Sequence, residues 1–200
     1  MRDSPTLEEI SGEIAIIRFT KPAERNPLSH ETLDRLAAFL ERLKQEPTIR
    51  AVILTGTDDV FLSGADIRDL RNLDRTSATI FSQKGQSLAH ALAELQPVTI
   101  AAINGYCMGG GLDLALACNT RIASQSAVFA HPGARLGIIT GWGGTQRLPR
   151  LIGRTRAIEL FVTARRLSST DALEAGLVTQ IADPVLETAI AVAKQTITTS

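Results

Sequence analysis

Asn104-Gly105-Tyr106-Cys107-Met108-Gly109-Gly110-Gly111-Leu112-Asp113-Leu114-Ala115-Leu116-Ala117-Cys118 follows directly on the apolar run Val98 to Ile103. The run reads as a strand and Asn-Gly as its turn. The three glycines then open a small-residue helix over 109–118. Glycines let a ligand approach the backbone closely, and the free N–H groups of a helix start point at whatever sits there. Such a place suits negative charge. Asp113, one turn in, adds a carboxylate that can move a proton beside a stabilised oxyanion. Taken alone, Asp113 reads equally well as a first-turn carboxylate favoured by the helix dipole.

Outward from this stretch, strands and helices alternate. Glu13 to Phe19 reads as a strand closed by the loop Lys21-Pro22-Ala23-Glu24-Arg25-Asn26-Pro27. Ser29 is placed to cap a helix over 30–45. Leu28 and Leu33 form its staple, and Leu33, Leu36, Ala37, Leu40 and Leu43 follow at helical spacing. Ala51 to Thr55 is wholly apolar, as in a strand covered on both faces. A turn at Asp58-Asp59 leads into Phe61 to Ile67, and residues 76–95 read as a helix with Leu88, Ala91, Leu92 and Leu95 on one stripe. Beyond a mixed stretch to Phe129 lies a second glycine loop, Gly141-Trp142-Gly143-Gly144, before Thr145-Gln146-Arg147-Leu148-Pro149. Ser169 or Thr170 is expected to cap a helix from Asp171 to Ala175. Gly176 falls at its left-handed end, Leu177 to Ile181 reads as a strand, and a helix starts at Asp183-Pro184. With no linker or low-complexity segment, 1–200 reads as one α/β domain.

Lys plus Arg equals Asp plus Glu, 21 each, so no global field points to nucleic acid or membrane. The apolar runs are too short and too interrupted to span a bilayer. Met1-Arg2-Asp3-Ser4-Pro5 lacks the apolar segment of a secretory signal. Cys107 and Cys118 fit no metal spacing and make no disulfide framework. The expectation is a cytoplasmic protein with no metal and no redox cofactor.

Three segments stand in register: Phe61-Leu62-Ser63-Gly64-Ala65-Asp66-Ile67, Asn104-Gly105-Tyr106 with Gly109-Gly110-Gly111, and Gly143-Gly144-Thr145-Gln146-Arg147-Leu148-Pro149. Together with Arg25-Asn26-Pro27-Leu28, they resemble the crotonase superfamily, the enoyl-CoA hydratases and isomerases. The resemblance runs from about 13 to 182. It implies a crotonase-like spiral of ββα units, with 184–200 as the start of a C-terminal helical part shortened here. It also implies a coenzyme A thioester whose carbonyl lies between two backbone N–H groups, which by position are those of Ala65 and Gly110. Coenzyme A is then part of the substrate, and no separate cofactor is implied. By the same resemblance Ala65, Asp66, Ile67 and Arg68 follow the pantetheine and adenine. The loop with Lys21, Ala23 and Arg25 closes over the nucleotide, with Lys21, Arg25 and Arg68 as phosphate contacts or as plain surface cations. A homotrimer or hexamer is implied, weakened where covering helices are lacking.

In acid–base chemistry the sequence departs from the hydratases it resembles. They carry a glutamate two residues after the glycine triplet, here Asp113, and a second one soon after a proline, here the side-chain-free Gly133. Hydration needs one group to activate water and one to protonate the α-carbon. A single base in an apolar pocket, its pKa raised, suits moving a double bond instead. His131, two residues before the vacant position, reads as a second catalytic group or as a hydrogen-bonded core histidine. Asp66 reads as a loop brace, Trp142 as packing or an acyl-pocket wall, and Tyr106 and both cysteines as structural. The reading is an enoyl-CoA hydratase/isomerase. The alternatives are a thioester hydrolase or decarboxylase of the same fold, and a non-catalytic acyl-CoA binder.

Overall fold

The computed structural model describes residues 4–199; the reading of Met1 to Asp3 lies outside them. The strands are β1 (Thr6–Ser11), β2 (Ile14–Phe19), β3 (Pro27–Leu28), β4 (Ala51–Thr55), β5 (Val60–Leu62), β6 (Gly64–Ala65), β7 (Val98–Ile103), β8 (Tyr106–Met108), β9 (Thr120–Ala123), β10 (Val128–Ala130), β11 (Leu167–Ser168) and β12 (Gln180–Ile181). The helices are α1 (His30–Leu43), α2 (Ile67–Leu70), α3 (Arg75–Ala93), α4 (Gly110–Ala117), α5 (Gly144–Ile152), α6 (Arg154–Thr163), α7 (Ser169–Glu174) and α8 (Val185–Thr199).

One sheet runs β1-β2-β4-β7-β9-β12, parallel except for the β1–β2 hairpin, and a second runs β11-β10-β8-β5. Each turn of the chain gives one strand to the first sheet, one to the second, and then a helix. The turns are β4-β5-α2/α3, β7-β8-α4 and β9-β10-α5. This is the implied spiral of ββα units. Asn104 locks successive turns together. Its Oδ1 accepts from Gly56 N at 2.9 Å, and its Nδ2 donates to the carbonyls of Asp58 and Val60.

The apolar runs are continuous because the large sheet is covered on both faces. Ala15, Ile17, Val52, Leu54, Ala101 and Ile103 face the main core, and Ile14, Ile16, Ile53 and Ile100 face a second cluster closed by Val185, Ala189 and Ala193 of α8. The segment after Pro184 therefore covers the outer face of the sheet.

Several expected elements shift. Ser29 caps α1 as read, accepting from Thr32 N at 3.2 Å. The cap of α7 is Ser168, one residue earlier than Ser169, because Asp171 returns the bond to Ser168 N in a capping box. The strand expected over 177–181 shrinks to Gln180–Ile181, since Leu177 and Val178 turn their N–H groups to the Ala172 carbonyl. The hairpin strand β1, the short strands β8 and β10, and the helices α5 and α6 are additions to the sequence reading.

Candidate active site

Two turns of the spiral meet at the proposed oxyanion position. Asn26 fixes the first. Its Nδ2 donates to the Val60 carbonyl at 2.9 Å while its Oδ1 accepts from Lys21 N at 2.7 Å, holding the loop 21–26 against β5. Asp66 N donates to the Leu28 carbonyl, and ladder bonds fall on alternate residues, so the Ala65 N–H is directed off the β3–β6 ladder. Gly110 is the first residue of α4, and the amide of a first helical residue has no partner within its helix. Gly64 brings the two together. Its φ is +97°, and a Cβ there would lie 2.9 Å from the Met108 carbonyl oxygen and 3.0 Å from Gly110 N, so only glycine fits.

Asp113 and His131 are both buried, 0% and 3% exposed. His131 Nε2 stands 3.5 Å from Asp113 Oδ1, outside good hydrogen-bond geometry, and neither atom has a hydrogen-bond partner among the described residues. The Thr140 hydroxyl donates to the other oxygen, Oδ2. Burial raises the Asp113 pKa to about 6. The Thr140 bond, the nearby amides of Trp142 and Gly144, and the Arg147 charge offset only part of that. Burial alone lowers the His131 pKa to about 4, so at neutral pH the imidazole is uncharged. Its ring packs on Phe161, centroids 5.0 Å apart.

Ala65, Gly110, Asp113 and His131 all line one cavity of about 300 Å3, with Phe81 and Trp142 among its apolar walls. Gly133 lines it too and brings no side chain. A Cβ at Gly133 would stand 2.5 Å from the Ile138 carbonyl oxygen, so the loop is built for glycine. The rim segment leaves Leu136, Ile138 and Ile139 each at least half exposed. Sequence reasoning did not find Thr140. A threonine in a loop carries no signal until the fold places it against the carboxylate.

The residues expected along coenzyme A divide. Asp66 caps α2, accepting from Arg68 N at 2.8 Å, which is the bracing role. Arg68 is tied to Asp66 at 2.7 Å and to Glu24 at 2.8 Å, so the loop 21–25 and the 65–68 segment do meet. Their contact already occupies the Arg68 guanidinium. Arg25 is exposed and lies 5.8 Å over the Tyr106 ring, with Arg166 6.0 Å over the same ring. Lys21 is half-buried, Ala23 is exposed, and Ile67 is 55% exposed. Cys107 and Cys118 are buried free thiols with raised pKa values, and no group of three or more His, Cys, Asp or Glu among the described residues could hold a metal ion.

A two-sheet spiral with paired backbone donors beside one buried carboxylate defines a crotonase-type pocket. The family model described as enoyl-CoA hydratase/isomerase matches residues 9–200. The short-chain-enoyl-CoA hydratase of Clostridium acetobutylicum is 36% identical over 177 residues, 88% of this chain and 68% of the relative. The enoyl-CoA hydratase from Bacillus anthracis superposes with a TM-score of 0.92 at 35% identity, covering 96% of this chain and 76% of that one. Pseudomonas aeruginosa DspI gives a TM-score of 0.94 at 33% identity, over 98% of this chain and 81% of its own. The chain belongs to the enoyl-CoA hydratase/isomerase family of the crotonase superfamily.

Proposed function

We propose that this chain moves a double bond along the acyl chain of an enoyl-CoA thioester, with Asp113 as the one proton carrier. The observation that carries this reading is the buried carboxylate whose Oδ1 has no hydrogen-bond partner among the described residues, lining the same cavity as Ala65 and Gly110. Asp113 takes a proton from C2 of a 3-enoyl ester. The electron pair moves onto the thioester oxygen, which accepts from the Ala65 and Gly110 N–H groups. Asp113 then delivers a proton at C4, leaving a 2-enoyl ester, and the carboxyl exchanges its proton with solvent while the dienolate is bound. Losing one such donor costs about 3 kcal/mol of transition-state stabilisation elsewhere. A base with its pKa near 6 both takes and returns a proton readily at neutral pH.

The relatives' names favour hydration as a second reading. Against it stands Gly133, which supplies no second carboxylate. Thioester hydrolysis, decarboxylation and binding without catalysis are not favoured by the family comparisons.

Coenzyme A would run past Ala65 to Arg68 under the loop 21–25, with Lys21 and Arg25 as the cations to meet phosphate. The pathway would be fatty acid metabolism and the place of action the cytoplasm, where the two free cysteines would stay reduced. No helix among the described residues is long and apolar enough to cross a membrane. The exposed Ile158 and Val162 of α6 support self-association, in which a homotrimer or hexamer would cover them.

The test is incubation in heavy water with 2-enoyl and 3-enoyl coenzyme A esters, followed by mass spectrometry. Interconversion with deuterium uptake, lost in Asp113→Asn, is expected. A gain of one water, dependent on Asp113, establishes hydration instead. No change in any ester despite binding refutes both.

A further inference from the structure

The wall of the cavity beside Gly110 is a single large side chain. Trp142 is 4% exposed and seated between two glycines. A Cβ on Gly85 of α3 would overlap its indole ring, and one on Gly110 would lie 2.5 Å from Cζ3. Phe81 packs on the indole with ring centroids 5.4 Å apart. The loop carrying the tryptophan is pinned on both sides. Gln86 Nε2 donates to the Gly141 carbonyl at 2.8 Å, and Arg147 donates to the Trp142 carbonyl at 3.2 Å and the Ala89 carbonyl at 3.4 Å. With both neighbouring positions glycine, the indole edge lies against the backbone whose amide would hold the thioester oxygen.

From this geometry we infer that Trp142 is the residue that sets acyl chain length, closing the end of the pocket and restricting it to short acyl groups. The inference rests on the acyl-CoA reading above. A ring wedged against Gly110 meets the acyl chain within a few carbons of the carbonyl, and tethering through Gln86 and Arg147 keeps it from swinging aside. The cavity of about 300 Å3 stands at the small end of ligand pockets. A wall of packed atoms discriminates strongly, since each extra methylene in a closed pocket changes selectivity about 10-fold or more.

The test is calorimetric binding of two saturated esters, butanoyl-CoA and decanoyl-CoA, which isomerisation cannot consume. The native protein is expected to bind butanoyl-CoA at least as tightly as decanoyl-CoA. Trp142→Ala opens an apolar cavity, and such cavities take up apolar groups. Its decanoyl-CoA affinity should rise about 10-fold or more, with butanoyl-CoA changed by less than about threefold. Trp142→Leu removes less volume and gives the same reading should the alanine variant fail to fold. Gly85→Ala pushes the indole into the cavity and should weaken both esters. Equal responses of the two esters in a folded Trp142 variant, or a native preference for decanoyl-CoA, overturn the inference. A selective shift without turnover of any enoyl ester refutes the catalytic reading and leaves this one standing. Turnover with unchanged chain-length ratios does the reverse.

Discussion

At Asp113 and His131 burial pushes two titrations in opposite senses. The folded Asp113 titrates near 6 against 3.8 for a free aspartate. Between those values the folded state holds a proton that the unfolded chain has released, so stability falls as pH rises. The deficit reaches about 3 kcal/mol above pH 6. His131 titrates near 4 against 6.5, so there the unfolded chain holds the extra proton. Stability rises with pH across that window, by a similar amount. The two slopes cancel between about pH 4 and 6. Asp113→Asn should therefore stabilise the protein by about 1–3 kcal/mol at pH 8 and lose stability on acidification, while His131→Phe loses it as pH rises toward 6. Urea unfolding across that range reads both, and parallel profiles for all three proteins would refute the assignment. Activity moves the other way. Asp113→Asn should lower kcat about 100-fold or more with acyl-CoA affinity kept. Native kcat/KM should fall about tenfold per pH unit below pH 6, where the base is protonated.

The helix α4 and the loop after β10 show what a glycine at an element's edge is for. Alanine at Gly110 ought to gain about 1 kcal/mol of helix propensity. Its Cβ would instead stand 2.5 Å from Trp142 Cζ3, so Gly110→Ala should destabilise by about 1–3 kcal/mol in urea unfolding. Putting back the absent carboxylate meets the same obstacle. Gly133→Glu drives its Cβ toward the Ile138 carbonyl and should yield no hydration in the heavy-water assay, whereas a water adduct from this variant would show that the loop yields. Elements of this kind divide sharply in how well the sequence exposes them. Helix α1 is legible because one leucine stripe and a serine cap agree. Helix α5 is not, since Pro149 sits inside it and argues for a break at the very place the helix continues. Strand β1 hides for another reason: Glu8 and Glu9 sit on an edge strand where periodicity is weak, and Leu7 and Ile10 are at least half exposed. Strands β8 and β10 have three residues each, too few for a period to show.

At the scale of the whole molecule, the site is assembled from residues far apart in sequence by stacking successive turns. Ala65 follows one turn's strands, Gly110 and Asp113 begin the next turn's helix, and His131 follows the strands of the third. No local rule brings them together, which is why it took the three segments in register to make the pocket legible. His131 was a candidate only through its place beside Gly133, while its 3.5 Å approach to Asp113 and the Thr140 contact carried no signal. The same stacking leaves the outer face of the large sheet apolar, and α8 covers it. Ala189 is fully buried there in the cluster with Ile53 and Ile100. Ala189→Lys would place a charge among the apolar side chains of that cluster and should destabilise by about 3 kcal/mol or more, because the ammonium would be buried among isoleucines and detaching α8 exposes them. The candidate active-site cavity lies on the other side of the sheet, and among the described residues nothing beyond Trp142 lines it. Native-state hydrogen exchange separates the two regions. In Ala189→Lys, amides of α8 should lose protection first while those of α4 keep it. Simultaneous loss in both would mean that the outer helix and the pocket unfold as one cooperative unit.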